Sequence, residues 1–311
     1  TAAWLTLIPT LASRLDGDTF FRLWRQTLAA TERIVACEPG SSSDPLDVSP
    51  ELQDEILFRA GCVFAPLADA SHWLKTARHN WRSRLDQTDE EHVCPALAGR
   101  MLIAWVGSLT RTTSAAFASE VDLWKKRHVR LLRQLARDLT ALLFANRAAE
   151  AIHGGDEFHL SMITTLAGLS ELPSDDPALQ LLKDLRRGRT SRPRVKGAGN
   201  KRSSRPGWQS DVRQFALLRD VWSPDANVLS VDYAGGDVQL NFSVSGQQLL
   251  SGCWTSNVLL NDQLLEHPLA WKCECWFSDR DADFVELTAD LGEGIALMRQ
   301  LLLARKESML L

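Results

Sequence analysis

The densest group of side chains able to do chemistry is Arg78-His79-Asn80-Trp81-Arg82. Arg grips a carboxylate through two parallel hydrogen bonds. His moves protons near neutral pH, and Asn donates to a developing oxyanion. Trp offers a flat apolar face to a sugar ring. The five together offer contacts to a sugar acid. On a helix, however, they point in several directions. A polar helix end with one buried Trp reads equally well.

Three further clusters carry less. His153-Gly-Gly-Asp-Glu-Phe-His159 brings two imidazoles and two carboxylates together, but the spacing matches no zinc motif and reads as a solvated loop. Cys273 and Cys275 stand two apart on a strand, which points both thiols to one face. A zinc site there needs Cys253 and His267 as well, so paired core thiols are the expectation. Asp279-Arg-Asp-Ala-Asp283 lacks the Gly and the distal Glu of a calcium loop and reads as a polar hairpin turn. The sequence has no Gly-rich phosphate loop and no nucleophile elbow. Neither a metal site nor a cofactor is expected.

The elements that must position these residues fall into two kinds. The first part reads as amphipathic helices. Asp18 is the expected cap of a helix carrying Phe20, Phe21, Trp24, Leu28 and Ile34. Ser49-Pro50-Glu51 opens another, which Gly61 and Pro66 interrupt before a piece around Trp73. Pro95 opens a third. Val121, Trp124, His128, Leu132, Leu135, Leu139 and Leu142 recur at spacings of three and four, which predicts one long helix over 119–152. A last helix starts at Asp176-Pro177 and stops at Gly188.

After Trp208 the period changes from helical to alternating. Val228–Tyr233, Val238–Val244, Trp271–Trp276, Phe284–Thr288 and 295–301 read as strands, with Gly235-Gly236 turning between the first two. The expected architecture is α+β and multidomain. A helical domain over 1–188 and a basic flexible linker over 189–207 precede an antiparallel β-sandwich over 208–311.

Hydrophobic residues make up 45% and charged ones 24% of the 311 residues, so the chain can bury a core without disulfide staples. No apolar run approaches the roughly 18 residues of a membrane span. The net charge of −4 hides an asymmetry. Residues 208–311 hold 15 acidic and 7 basic side chains, whereas 186–207 hold 9 basic and no acidic ones. Both flanking parts are net acidic and repel phosphate, which argues against nucleic acid as the partner of the basic stretch. The chain starts without Met and ends on Ser308-Met309-Leu310-Leu311, a strand just begun, and so reads as a fragment of a longer protein.

The last hundred or so residues resemble the opening of the β-sandwich domain in heparinase II/III-like polysaccharide lyases. The resemblance lies in Gln214-Phe-Ala-Leu-Leu-Arg-Asp-Val-Trp222, in Gly236-Asp237 leading into Leu240-Asn-Phe-Ser-Val, and in Gly246-Gln-Gln-Leu-Leu-Ser-Gly252. Trp276-Phe-Ser-Asp and Arg299-Gln-Leu-Leu-Leu-Ala-Arg305 add to it. It implies an α/α toroid of helix pairs before the sandwich, and β-elimination of acidic, uronic-acid polysaccharide. It also implies a Tyr and an Asn from the toroid and a His from the sandwich. This sequence departs from that pattern. Ala234, Gly235 and Gly236 stand where the family has His before Asp237, and the one Tyr is Tyr233. His79, Asn80 and Tyr233 are the catalytic candidates, and Arg78, Trp81, Arg82 and Asp237 the substrate-binding ones. A catalytically inactive glycan-binding or scaffolding relative is the alternative.

Overall fold

The computed structural model describes residues 1–36, 49–87, 99–143, 156–187, 205–256, 258–260, 263–264, 269–292, 294–305 and 309–311. The expectations for 188–204, for 144–155 with His153, for Pro95 and for His267 fall outside these residues. The rest form eight helices and antiparallel sheets, a mixed α+β chain that divides into two compact units.

The first unit comprises Thr1–Gln87 and Met101–Arg130. It holds α1 (Ala2–Leu11), α2 (Gly17–Ala36), α3 (Pro50–Val63), α4 (Ala70–Asp86) and α5 (Gly99–Ala118), the last from Met101 on, and the start of α6 (Lys126–Leu142). Helix α2 is capped by Asp16, whose carboxylate accepts the Thr19 N–H at 2.9 Å, and Asp18 lies inside the first turn. Helix α3 opens as the sequence dictates, with Ser49 Oγ accepting from Leu52 N at 3.3 Å ahead of Pro50. Gly61 does not end it. A Cβ there would come within 2.5 Å of Leu74 Cγ and 2.9 Å of the Ala70 carbonyl, so this glycine lets α3 and α4 pack closely. An ionic knot on the buried carboxylate of Glu55 ties α3 to α5. Arg111 grips Glu55 with two bonds of 2.9 and 2.8 Å, and Arg59 lies 3.1 Å from the same carboxylate.

The long helix expected over 119–152 is shorter at its start. Glu120 takes a left-handed backbone, φ +53°, and Val121 N–H bonds back to the Ala116 carbonyl at 2.9 Å, which closes α5. Residues 121–125 belong to no helix or strand. The apolar stripe through Val121 and Trp124 is thus continuous in sequence spacing but not helical there. Helix α6 begins at Lys126, and His128 is its third residue.

The second unit comprises Thr88–Arg100 and Leu131–Leu311. It includes α7 (Asp156–Leu169) and α8 (Pro177–Arg186), the latter capped by Asp176, whose carboxylate accepts Ala178 N–H at 3.0 Å. A five-stranded antiparallel sheet runs β1 (Trp208–Ser210), β2 (Phe215–Arg219), β3 (Val228–Asp232), β4 (Val238–Val244), β5 (Gln247–Trp254) in that spatial order. Strands β6 (Leu259–Leu260) and β7 (Gln263–Leu264) form a separate pair. A four-stranded sheet is ordered β11 (Met309–Leu310), β10 (Ile295–Ala304), β9 (Ala282–Gly292), β8 (Trp271–Ser278). Leu218, Leu229, Val231 and Val238 of the first sheet share one core with Trp271, Val285, Leu287 and Leu303 of the second. Both sheets are meanders of consecutive antiparallel strands; β4 alternates buried with more exposed residues, whereas β2 is buried and β5 exposed along its whole length.

Two polar groups stand out in this unit. Arg219 is fully buried and donates to the carbonyls of Ala141, Val221 and Ser223 at 2.7 to 2.9 Å. Burial pulls its pKa down to about 10. Asp283, also fully buried, accepts the Arg219 N–H at 2.8 Å and pairs with Arg305. Asp279 caps the hairpin turn between β8 and β9, accepting from Asp281 N and Ala282 N at 2.7 and 2.8 Å. The polar turn is as the sequence indicates. The paired thiols are not. The register shifts between Cys273 and Cys275, so a bulge at Glu274 turns Cys275 outward while Cys273 packs on the core.

Candidate functional site

Helix α4 sorts its side chains by the helical period. Ala70, Trp73, Ala77, Trp81 and Leu85 form the buried stripe. Lys75, Arg78, His79, Arg82, Ser83 and Asp86 recur at spacings of three and one on the opposite side. Together with Gln87, Lys125 and His128 they line a cavity of about 500 Å³. Four cations therefore face one carboxylate.

That carboxylate is already engaged. Asp86 accepts from His128 Nε2 at 2.8 Å and from Arg127 at 2.5 Å. His128 is 1% exposed and its Nδ1 accepts the Lys125 backbone N–H at 3.2 Å. This is one half of a capping box, with an imidazole in place of the usual carboxylate or amide. The acceptor role of Nδ1 places the ring proton on Nε2, so the ring is neutral and donates to Asp86. Burial pulls the His128 pKa below its ordinary value, opposed by the bond to Asp86. Arg82 anchors the segment before α6, donating to the carbonyls of Leu123 at 2.7 Å and Asp122 at 3.3 Å. Arg78 keeps a buried Nε with no hydrogen-bond partner. With Asp86 satisfied internally, the pocket presents surplus positive charge to solvent and attracts anions.

The sequence candidates separate. Arg78, His79 and Arg82 share the pocket wall. Asn80 points to α3, where its amide donates to Asp54 at 2.7 Å, beside Arg84 on the same carboxylate at 2.6 Å. Trp81 is fully buried against Trp105, so its face is not open to a sugar. Tyr233 and Asp237 belong to the other unit. Tyr233 is 1% exposed in the core shared by the two sheets. Its hydroxyl accepts from Gln209 at 2.8 Å, and burial raises its pKa. Asp237 is exposed in the bend before β4, and its charge favours the cationic form of Arg299. Lys75 and Asp86 were legible as helical neighbours of Arg78 and Arg82. Lys125 and His128 had no such signal, because they reach the pocket only through the fold. Among the described residues no group of three or more His, Cys, Asp and Glu could hold a metal ion, and no helix is long and apolar enough to cross a membrane.

Solved structures decide the fold. The heparan sulfate lyase HepC from Pedobacter heparinus superposes with a TM-score of 0.66 at 12% identity, over 97% of this chain and 51% of that one. A structure of heparinase III gives 0.59 at 13% identity, over 98% of this chain and 52% of that one. The chain has a heparinase-like fold. It spans about half the length of these heparinase structures. No protein-family model matches it, and no curated protein matches it in sequence.

Proposed function

We propose that this chain is a divergent heparinase II/III-like protein that binds acidic polysaccharide in the α4 pocket and acts on it by β-elimination. In this reading residues 1–188 form a toroid-like helical part, 189–207 a basic linker and 208–311 a β-sandwich. The observation that carries it is the convergence of Lys75, Arg78, Arg82 and Lys125 with His79 around one cavity. The heparinase-like fold supports it, as does the surplus of positive charge.

The chemistry asks for little more than that pocket holds. A base removes the proton α to the uronate carboxylate, whose charge is neutralised by the cations. The electron pair forms the new double bond, the bond to the β oxygen breaks, and that oxygen takes up a proton. Arg78 and Lys125 fit the carboxylate role, and His79, exposed on the pocket wall, fits proton transfer.

A second reading, a glycan-binding relative without activity, is favoured by Tyr233. The one Tyr of the chain is locked in the core, and Asn80 is committed to Asp54. The test is ultraviolet absorbance during incubation with uronic-acid polysaccharides, heparan sulfate first, because the HepC neighbour is named a lyase of it. β-Elimination makes an absorbing unsaturated uronate. A rise that His79→Ala abolishes supports the lyase reading. Binding without any rise supports the second.

A further inference from the structure

One residue lining the pocket can take up a proton only by giving up a hydrogen bond. His128 has both ring nitrogens engaged, Nδ1 by the Lys125 backbone N–H and Nε2 by Asp86. The charged groups that face it are Asp86 and Arg82 from α4 and Arg127 from its own helix. Trp124 packs edge-on at 6.0 Å between ring centroids. His79 is a second titratable ring on the pocket wall.

Protonation changes the local bonding in a definite way. The proton goes onto Nδ1, the one lone pair of the neutral ring. The new N–H then meets the Lys125 N–H across 3.2 Å, donor against donor. The cap is lost, and two donors at the start of α6 are left without an acceptor. A negative charge in the pocket, which His128 and Lys125 both line, offsets Arg82 and Arg127, which otherwise oppose the imidazolium.

We propose that anion binding in this pocket is coupled to uptake of one proton by His128, so that the site holds acidic glycan more tightly under mildly acidic conditions than under neutral ones. The inference rests on the acidic-polysaccharide reading above and adds its regulation. Linkage makes the coupling reciprocal: the anion raises the proton affinity of His128 by the factor by which the proton raises anion affinity.

The experiment is imidazole NMR of the protein with and without a saturating heparan sulfate tetrasaccharide, between about pH 5 and pH 8. His128 is assigned with His128→Gln. Gln keeps an acceptor for Lys125 N–H and a donor for Asp86 but does not titrate. Calorimetry across the same range gives the affinities. The expected result is an upward shift in the His128 titration on binding. The tetrasaccharide should bind about fivefold or more tightly at the acidic end, a slope that His128→Gln removes. If the tetrasaccharide binds but the His128 titration stays where it was, the coupling is overturned and the glycan reading stands. If it does not bind at any pH, the glycan reading fails and the coupling falls with it. Reading His128 directly in the unmutated protein keeps the outcome decisive even where His128→Gln folds poorly.

Discussion

Nε2 of His128 lies 2.8 Å from the Asp86 carboxylate, and the same ring caps α6 through its other nitrogen. The structure therefore needs this imidazole neutral, and burial holds its pKa below the ordinary 6.5. A folded value below the unfolded one means that the unfolded chain binds the extra proton first. The stability due to this group is fully present above pH 6.5 and is lost as pH falls through the lower folded value. Chemical denaturation over that window should show stability falling toward acid, with a shallower fall in His128→Gln.

Arg219 offers a second test. Its guanidinium is buried and its donors meet three backbone carbonyls, among them Ala141 O in the last turn of α6, where a cation suits the helix dipole. Lys carries a point charge and cannot span the three acceptors. Arg219→Lys is expected to cost about 2 to 4 kcal/mol, the scale of several buried acceptors left unpaired. Urea denaturation measures it.

The bulge at Glu274 makes a prediction about thiols. Cys253 and Cys275 are exposed, whereas Cys273 is partly buried and burial pushes its pKa up to about 12. A thiol reagent applied to the native protein should label Cys253 and Cys275 first and Cys273 only on unfolding, as followed by peptide mass spectrometry.

Much of this architecture is written locally. Ser49-Pro50 and Asp176-Pro177 start helices because a capping oxygen and a fixed φ act within one turn. Strands β4 and β9 are visible because buried residues alternate with more exposed ones along them, whereas β5, exposed along its whole length, carries no such pattern. What local pattern does not carry is the change of state at Glu120. A left-handed residue breaks an apolar stripe whose spacing continues across it. Bulges are equally silent, and so Cys275 faces outward against the simple alternation. The pocket was half legible. The residues on α4 follow from helical spacing, but Lys125 and His128 join them from a segment some forty positions away, and no periodicity encodes that. Trp81 looked like a sugar platform by type, yet it falls on the buried stripe with Trp73, Ala77 and Leu85.

The central claim is that the α4 pocket holds acidic glycan. The most direct test is calorimetric titration of heparan sulfate tetrasaccharide into the protein and into an Arg78→Ala, Lys125→Ala double variant, with circular dichroism to confirm that both are folded. The account predicts binding that weakens about tenfold or more in the double variant and that falls with added salt, as expected when two charge contacts are removed. Equal affinity in the two proteins, or no binding by the unmodified chain, would contradict it.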